Sequence, residues 1–289
     1  MRLNPFDTDR IKVRGGGGGG GGVGRAGGLG CGAVVIAIVG ALVFGVDPAT
    51  TLGVLGGLEQ QGAPAGHRQG GLSEEALCSS GPYASEACSA LLSLNETWAP
   101  QFAQAGVGFE EPELVLYPPG PVSTGGCGSA SSAAGPFYCP ADQGIYIETG
   151  FFDQLAQMSG TRGDFARLYV MAHEYGHHIQ NLTGISGQVR SLQQRSPSEA
   201  NRLGVRLELQ ADCYAGVWAG LNRSRIEPGD IEEGMMAASA VGDDTLARGS
   251  GRRINPESFT HGTSEQRREA LRRGLESGDA SACNVYFEG

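Results

Sequence analysis

The chain has 289 residues, 40% of them hydrophobic and 7% aromatic, with a formal net charge of −10. That length suits one large domain or two small ones, and 49 glycines beside so few aromatics imply long irregular stretches. Residues 1–46 carry Arg2, Arg10, Lys12, Arg14 and Arg25 against Asp7 and Asp9, a net of +3, so the remainder carries −13; so acidic a body argues against nucleic acid as a partner, because phosphates would be repelled.

Residues 1–28 read as a tail with eight consecutive glycines, Gly15 to Gly22, a run with too much backbone freedom to order itself. The segment LGCGAVVIAIVGALVFGV, Leu29 to Val46, holds no charge over 18 residues. As a helix it would run about 27 Å, close to the hydrocarbon thickness of a bilayer. Basic charge precedes it and Asp47 follows, so the positive-inside rule predicts a single-pass membrane protein, with residues 1–28 cytoplasmic and everything after Val46 outside. No A-x-A site follows the apolar run, which favours an uncleaved signal-anchor over a cleaved signal peptide. Cys31 lies at the start of that run, where a lipoprotein cysteine would follow it. Residues 47–74, with His67, read as a flexible linker, and residues 75–289 as the folded domain.

Beyond the apolar run lie Cys78, Cys88, Cys127, Cys139, Cys213 and Cys283. An even number in an exported domain points to disulfides. Sequence proximity favours Cys78–Cys88 and Cys127–Cys139, leaving Cys213–Cys283 to tie down the carboxyl-terminal tail; buried free thiols are the alternative. None has the C-x-x-C spacing of a structural zinc site.

Ala87, Leu91, Leu94, Trp98 and Phe102 recur at helical spacing, with Pro100 bending or ending that helix. PELVLYPPG and QGIYIETGFF read as short extended runs. A helical remainder follows. One helix is expected from Asp164 to about Leu182. Another starts at SPSE, with Ser196 as cap, Pro197 at the first helical position and Glu199 closing a capping box. A third runs from Asp230 towards Gly242, and the last from Thr263, boxed by Gln266, to Gly278.

The first of these four helices carries MAHEYGHHIQ, in which His173, Glu174 and His177 fit His-Glu-x-x-His. Residues four apart share a helix face, so His173 and His177 can hold one metal. Glu174 lies beside that pair, in place to act as a base on water activated there. Zinc suits two imidazoles and a carboxylate with a fourth position open, and lowers the pKa of its water to about 7. The pattern alone is not sufficient; it needs a third ligand. In ELQAD the following helix offers Glu208 and Asp212 on one face, among the small residues Gly204, Ala211, Ala215 and Ala219. A solvated acidic face would carry longer polar neighbours. Glu208 is therefore assigned as third zinc ligand and Asp212 as the acceptor that holds a ligand histidine by its distal ring N–H. Gly176 would let the two helices approach closely.

HEYGH followed by ELQADCYAGVWAG looks like the gluzincin pattern, and the chain resembles the bacterial putative neutral zinc metallopeptidase family over roughly residues 75–285. GPFYCPADQGIYIETGFF, GDIEEGMMAASAVGDD and SFTHGTSEQR resemble recurrent blocks of that family; the tail NVYFEG and the poly-glycine run depart from it. The resemblance implies a mostly helical, zincin-like α+β fold with His173, His177 and Glu208 on zinc and Glu174 as general base. Zincin-like enzymes hold a peptide antiparallel to an edge strand, which makes QGIYIETGFF a candidate platform; an ordinary core strand is the alternative. His261 either donates to the oxyanion of the reaction or is a structural loop histidine. His178 is on the wrong face for ligation, Tyr175 packs, and the adjacent Asp243 and Asp244 make a loop or cap rather than a calcium site.

The function expected is a membrane-anchored zinc peptidase acting on peptide or protein substrates. The alternatives are a catalytically silent, zinc-stabilised binding or scaffolding module, for which Glu174 would have no use, and a metal-dependent hydrolase of non-peptide bonds.

Overall fold

The computed structural model describes residues 1–17, 72–251 and 253–288. The expected span Leu29–Val46, most of the glycine run and the linker with His67 lie outside these residues. Among the described residues no helix is long and apolar enough to cross a membrane.

The described residues form six strands: β1 (Lys12–Gly15), β2 (Glu113–Tyr117), β3 (Pro121–Ser123), β4 (Ser129–Ser131), β5 (Phe137–Cys139) and β6 (Gly144–Glu148). Helices α1 (Glu74–Cys78) and α2 (Pro82–Ala105) lie between β1 and β2. After β6 come α3 (Phe151–Ser159), α4 (Asp164–Leu182), α5 (Ile185–Arg195), α6 (Ala200–Leu221), α7 (Asp230–Ala240), α8 (Asp243–Gly249) and α9 (Ser264–Ser277). The main sheet has the order β1-β2-β6-β5, parallel except for β5. Alternation sends Leu114, Leu116, Ile145 and Ile147 into the helical core. Val115, Tyr117 and Tyr146 face a second, smaller core that includes Val122 and Ala130 of the β3–β4 hairpin. Fold class thus agrees with the α+β expectation.

The amino-terminal residues differ from expectation. Val13 is 3% exposed, and β1 runs in register with β2, Val13 opposite Leu114. Met1 and Ile11 are buried in the same core, and the Met1 ammonium lies against Asp164 at 3.0 Å and Asp230 at 2.9 Å. Residues 1–17 therefore belong to the domain and are not part of a separate tail.

Three further expectations change. Pro100 does not end α2, which continues to Ala105, because Trp98 and Phe102 on either side of it are buried and hold the helix against the core. Ser196 caps nothing with its side chain: Pro197–Glu199 form a 3-10 turn before α6. QGIYIETGFF is no edge: β6 lies between β2 and β5 with every residue buried, and the edge beside α4 is β5. The box at Thr263 and Gln266 forms, and α9 stops at Gly278, whose φ of 60° suits glycine.

Candidate metal centre

Helix α4 is amphipathic in an unusual sense: His173 and Glu174, each 7% exposed, sit inside its buried stretch. It packs across α6 where Gly176 meets Ala211. A Cβ at 176 would stand 2.8 Å from the Ala211 carbonyl oxygen, so only glycine allows this crossing. The close approach brings Glu208 between the two histidines, 3.2 Å from His173 Nε2 and 3.4 Å from His177 Nε2. One donor atom from each of the three lies within 4.8 Å of the others.

Both rings are held from behind. His173 Nδ1 lies 2.8 Å from Asp212 Oδ1, and His177 Nδ1 lies 2.9 Å from Gln180 Oε1. With acceptors at both Nδ1 atoms, both Nε2 atoms are directed at Glu208. Two imidazoles and a carboxylate presented in this way form a donor set that fits zinc. Gln180 is itself anchored by donating to the Leu207 carbonyl and to Gln210 Oε1, and Gln210 donates to the Cys283 carbonyl.

The electrostatics follow from burial and close opposite charge. Burial alone would lower the His173 pKa, but the flanking Asp212 and Glu208 carboxylates outweigh it and hold it up to about 10. Burial would raise the Glu208 carboxyl, yet His177, His261 and His173 keep it well below the usual range. Burial pushes Glu174 up, the two histidines opposing it. A buried carboxyl whose pKa is raised suits a group that accepts a proton and later releases it.

His261 stands in the loop before α9, partly buried. Asp243 accepts the backbone N–H groups of Thr260, His261 and Gly262 at 2.7–3.0 Å, and its other oxygen lies 3.3 Å from His261 Nδ1. Asp243 thus organises that loop, and the charge of His261 is felt at Glu208. His178 is fully buried away from the donor atoms, between Tyr138 Oη and the Glu110 carbonyl, and burial lowers its pKa to about 4. Tyr175 packs in the core and donates to Asn95. Three disulfides join Cys78–Cys88, Cys127–Cys139 and Cys213–Cys283.

Sequence reasoning missed Gln180, Tyr169 and Arg267. Tyr169 Oη donates to Asp212 Oδ1 at 2.6 Å, and Arg267 holds Asp212 with two nitrogens. A signal for Arg267 existed: it occupies the apolar stripe of α9, with Ser264, Ala270, Leu271 and Gly274, where a charged residue needs a buried partner. A groove of about 950 Å³ between α7 and α9, lined by Ile231, Met235, Met236 and Leu275, includes none of the donor residues.

This mostly helical α+β domain brings together two imidazoles from His-Glu-x-x-His and a carboxylate from the second helix after it, with a buried glutamate next to the first histidine, a donor set that fits zinc. The chain belongs to the Putative neutral zinc metallopeptidase family, whose sequence model matches residues 6–286. It is 49% identical over 199 residues to Uncharacterized protein YpfJ of Escherichia coli K12, covering 68% of this chain and 69% of that protein. It is 42% identical over 207 residues to Uncharacterized protein Rv2575 of Mycobacterium tuberculosis H37Rv, covering 67% of each. No solved structure matches the chain.

Proposed function

We propose that this chain is a zinc-dependent peptidase, with His173, His177 and Glu208 as metal ligands, Glu174 as general base and Asp212 behind His173. The observation that carries the reading is the meeting of three donor atoms within 4.8 Å, from side chains 31 positions apart in sequence between His177 and Glu208, with Glu174 buried next to His173 on the same helix. Zinc, when bound, supplies Lewis acidity toward water and the substrate carbonyl. Glu174 accepts a proton from the attacking water as its oxygen bonds to the carbonyl carbon. It then delivers that proton to the amide nitrogen as the C–N bond breaks. His261, steadied by Asp243, would donate to the developing oxyanion.

The same reading puts the domain outside the cytoplasm, where its three disulfides would persist, attached to a membrane through Leu29–Val46. The pairing of β1 with β2 requires any such attachment to leave residues 1–17 and the body of the domain on one side.

The test is Glu174→Gln in the full chain. It is expected to keep one equivalent of zinc and the melting temperature while lowering hydrolysis of a peptide library by about 10²–10⁴-fold. Cleavage at the original rate, or chelator-resistant cleavage by the unmutated protein, rejects the assignment.

A further inference from the structure

Arg267 is 3% exposed and enters the centre from α9. Backbone-to-backbone packing puts it there: Gly216 of α6 lies against the Leu271 carbonyl, and Gly274 of α9 against the Cys213 carbonyl, with no space for a Cβ at either. A guanidinium carried so deep is strongly unfavourable unless paired and hydrogen-bonded. Its partner is Asp212. Nε donates to Oδ2 at 2.8 Å and Nη2 to Oδ1 at 3.0 Å, the two-pronged geometry that fixes a carboxylate in its plane. Nη2 also reaches Tyr169 Oη at 3.2 Å, and Nη1 the Val241 carbonyl at 3.4 Å.

These contacts determine more than a helix junction. Asp212 Oδ1, 2.8 Å from His173 Nδ1, can only accept, so that ring nitrogen carries a proton, and Arg267 Nη2 holds the same oxygen in place. Nε2, directed at Glu208, is the nitrogen left for a metal. The Asp212 carboxylate is fully buried, and Arg267 is the buried guanidinium that pairs with it. Without the arginine an additional anion would stay unpaired in a low-dielectric site, and Asp212 would be free to turn and take the ring proton.

We propose that Arg267 is a positioning residue of the metal centre: by gripping both oxygens of Asp212 it fixes the His173 ring with Nε2 turned toward the metal position. This rests on the metal-site reading above. It is distinct from a mere staple between α9 and α6, which would affect unfolding but not the ion.

The experiment uses the full chain with Zn²⁺ and Co²⁺ as probes. Zinc affinity is measured by competition with a chromophoric chelator, Co²⁺ by its visible ligand-field spectrum, and folding by thermal melts with and without metal. Arg267→Met is expected to weaken zinc binding about 10–100-fold and to change the Co²⁺ spectrum. Arg267→Lys keeps the charge but not the fork, and serves as the test should the methionine variant not fold; it is expected to bind zinc several-fold more weakly than the unmutated chain. In an Asp212→Asn background, where there is no anion to grip, Arg267→Met should add less than about threefold. A lysine variant with unchanged zinc affinity and Co²⁺ spectrum, or an equal loss in the asparagine background, overturns the proposal. If the unmutated chain binds zinc with this coupling but cleaves no peptide, the peptidase reading fails and the role of Arg267 stands; if it binds no zinc, both fall.

Discussion

At the scale of single residues, side chains in this molecule are held by the groups behind them. Asp244 is a small example away from the metal centre. Its Oδ1 accepts the backbone N–H and the hydroxyl of Ser264, at 2.7 and 2.8 Å, fastening α8 to the first turn of α9, and Oδ2 takes Arg248 at 2.8 Å. Burial would raise its pKa, but the Ser264 bonds and Arg248 outweigh it and leave it below the ordinary carboxylate value. A depressed folded pKa contributes stability above the unfolded value of about 3.9, lost as pH falls through the folded one. Asp244→Asn should therefore cost about 1–2 kcal/mol at neutral pH. The gap between the two proteins in urea midpoint should shrink steadily once the pH drops below that carboxylate range. A gap independent of pH would show that charge is not involved. His173, Glu174 and His177 were legible because their spacing on one helix suffices to bring them together. Arg267 shows in the sequence only as a charge in the apolar stripe of α9, because its partner depends on what α9 is pressed against.

At the scale of elements, the site is made by one crossing of two helices. Gly176 permits it, and the cost of replacing it can be stated. Alanine favours a helix interior by about 1 kcal/mol over glycine, but the added Cβ would meet the Ala211 Cα at 2.9 Å as well as its carbonyl oxygen. Backbone cannot swing aside as a side-chain tip can. Gly176→Ala is thus expected to lower stability by about 1–3 kcal/mol and to weaken zinc binding, since α4 and α6 must separate around Glu208; a calorimetric melt and a metal titration read both. A stabilised variant would mean that the crossing is looser than this geometry. Periodicity located α4 and the boxed start of α9 well, because caps and stripes are local. It failed where tertiary contacts decide: α5 has only Val189 buried and offers little stripe to read, and β6 shows the same alternation that an edge strand would.

At the scale of the whole molecule, two ties close the domain on itself. One is covalent. Cys213–Cys283 spans 70 residues and carries the end of the chain back to α6, where the Cys283 carbonyl receives Gln210, which in turn braces Gln180 behind His177. Loop-closure entropy for that span corresponds to about 4 kcal/mol, so Cys213→Ser with Cys283→Ser should lower the denaturation free energy by roughly that amount. Zinc affinity should fall with it, as the brace loosens. The other tie is β1. Single cysteines placed at Asp9 and Val107, both exposed, are expected to react together or be protected together from an impermeant thiol reagent in intact cells. Labelling of one side only would mean that the β1–β2 pairing does not form in the cell.

The sequence by itself determined the chemistry available: two imidazoles and a glutamate locked to one helix face by backbone geometry, a second helix with an acid among small residues, and cysteines in pairs. Only the tertiary structure decided which strand is the edge, that residues 1–17 belong to the sheet, and that a buried arginine stands behind the aspartate. Spacing along one helix is set by hydrogen bonds four residues apart, whereas partners 94 positions away, as His173 and Arg267 are, meet only when helices pack.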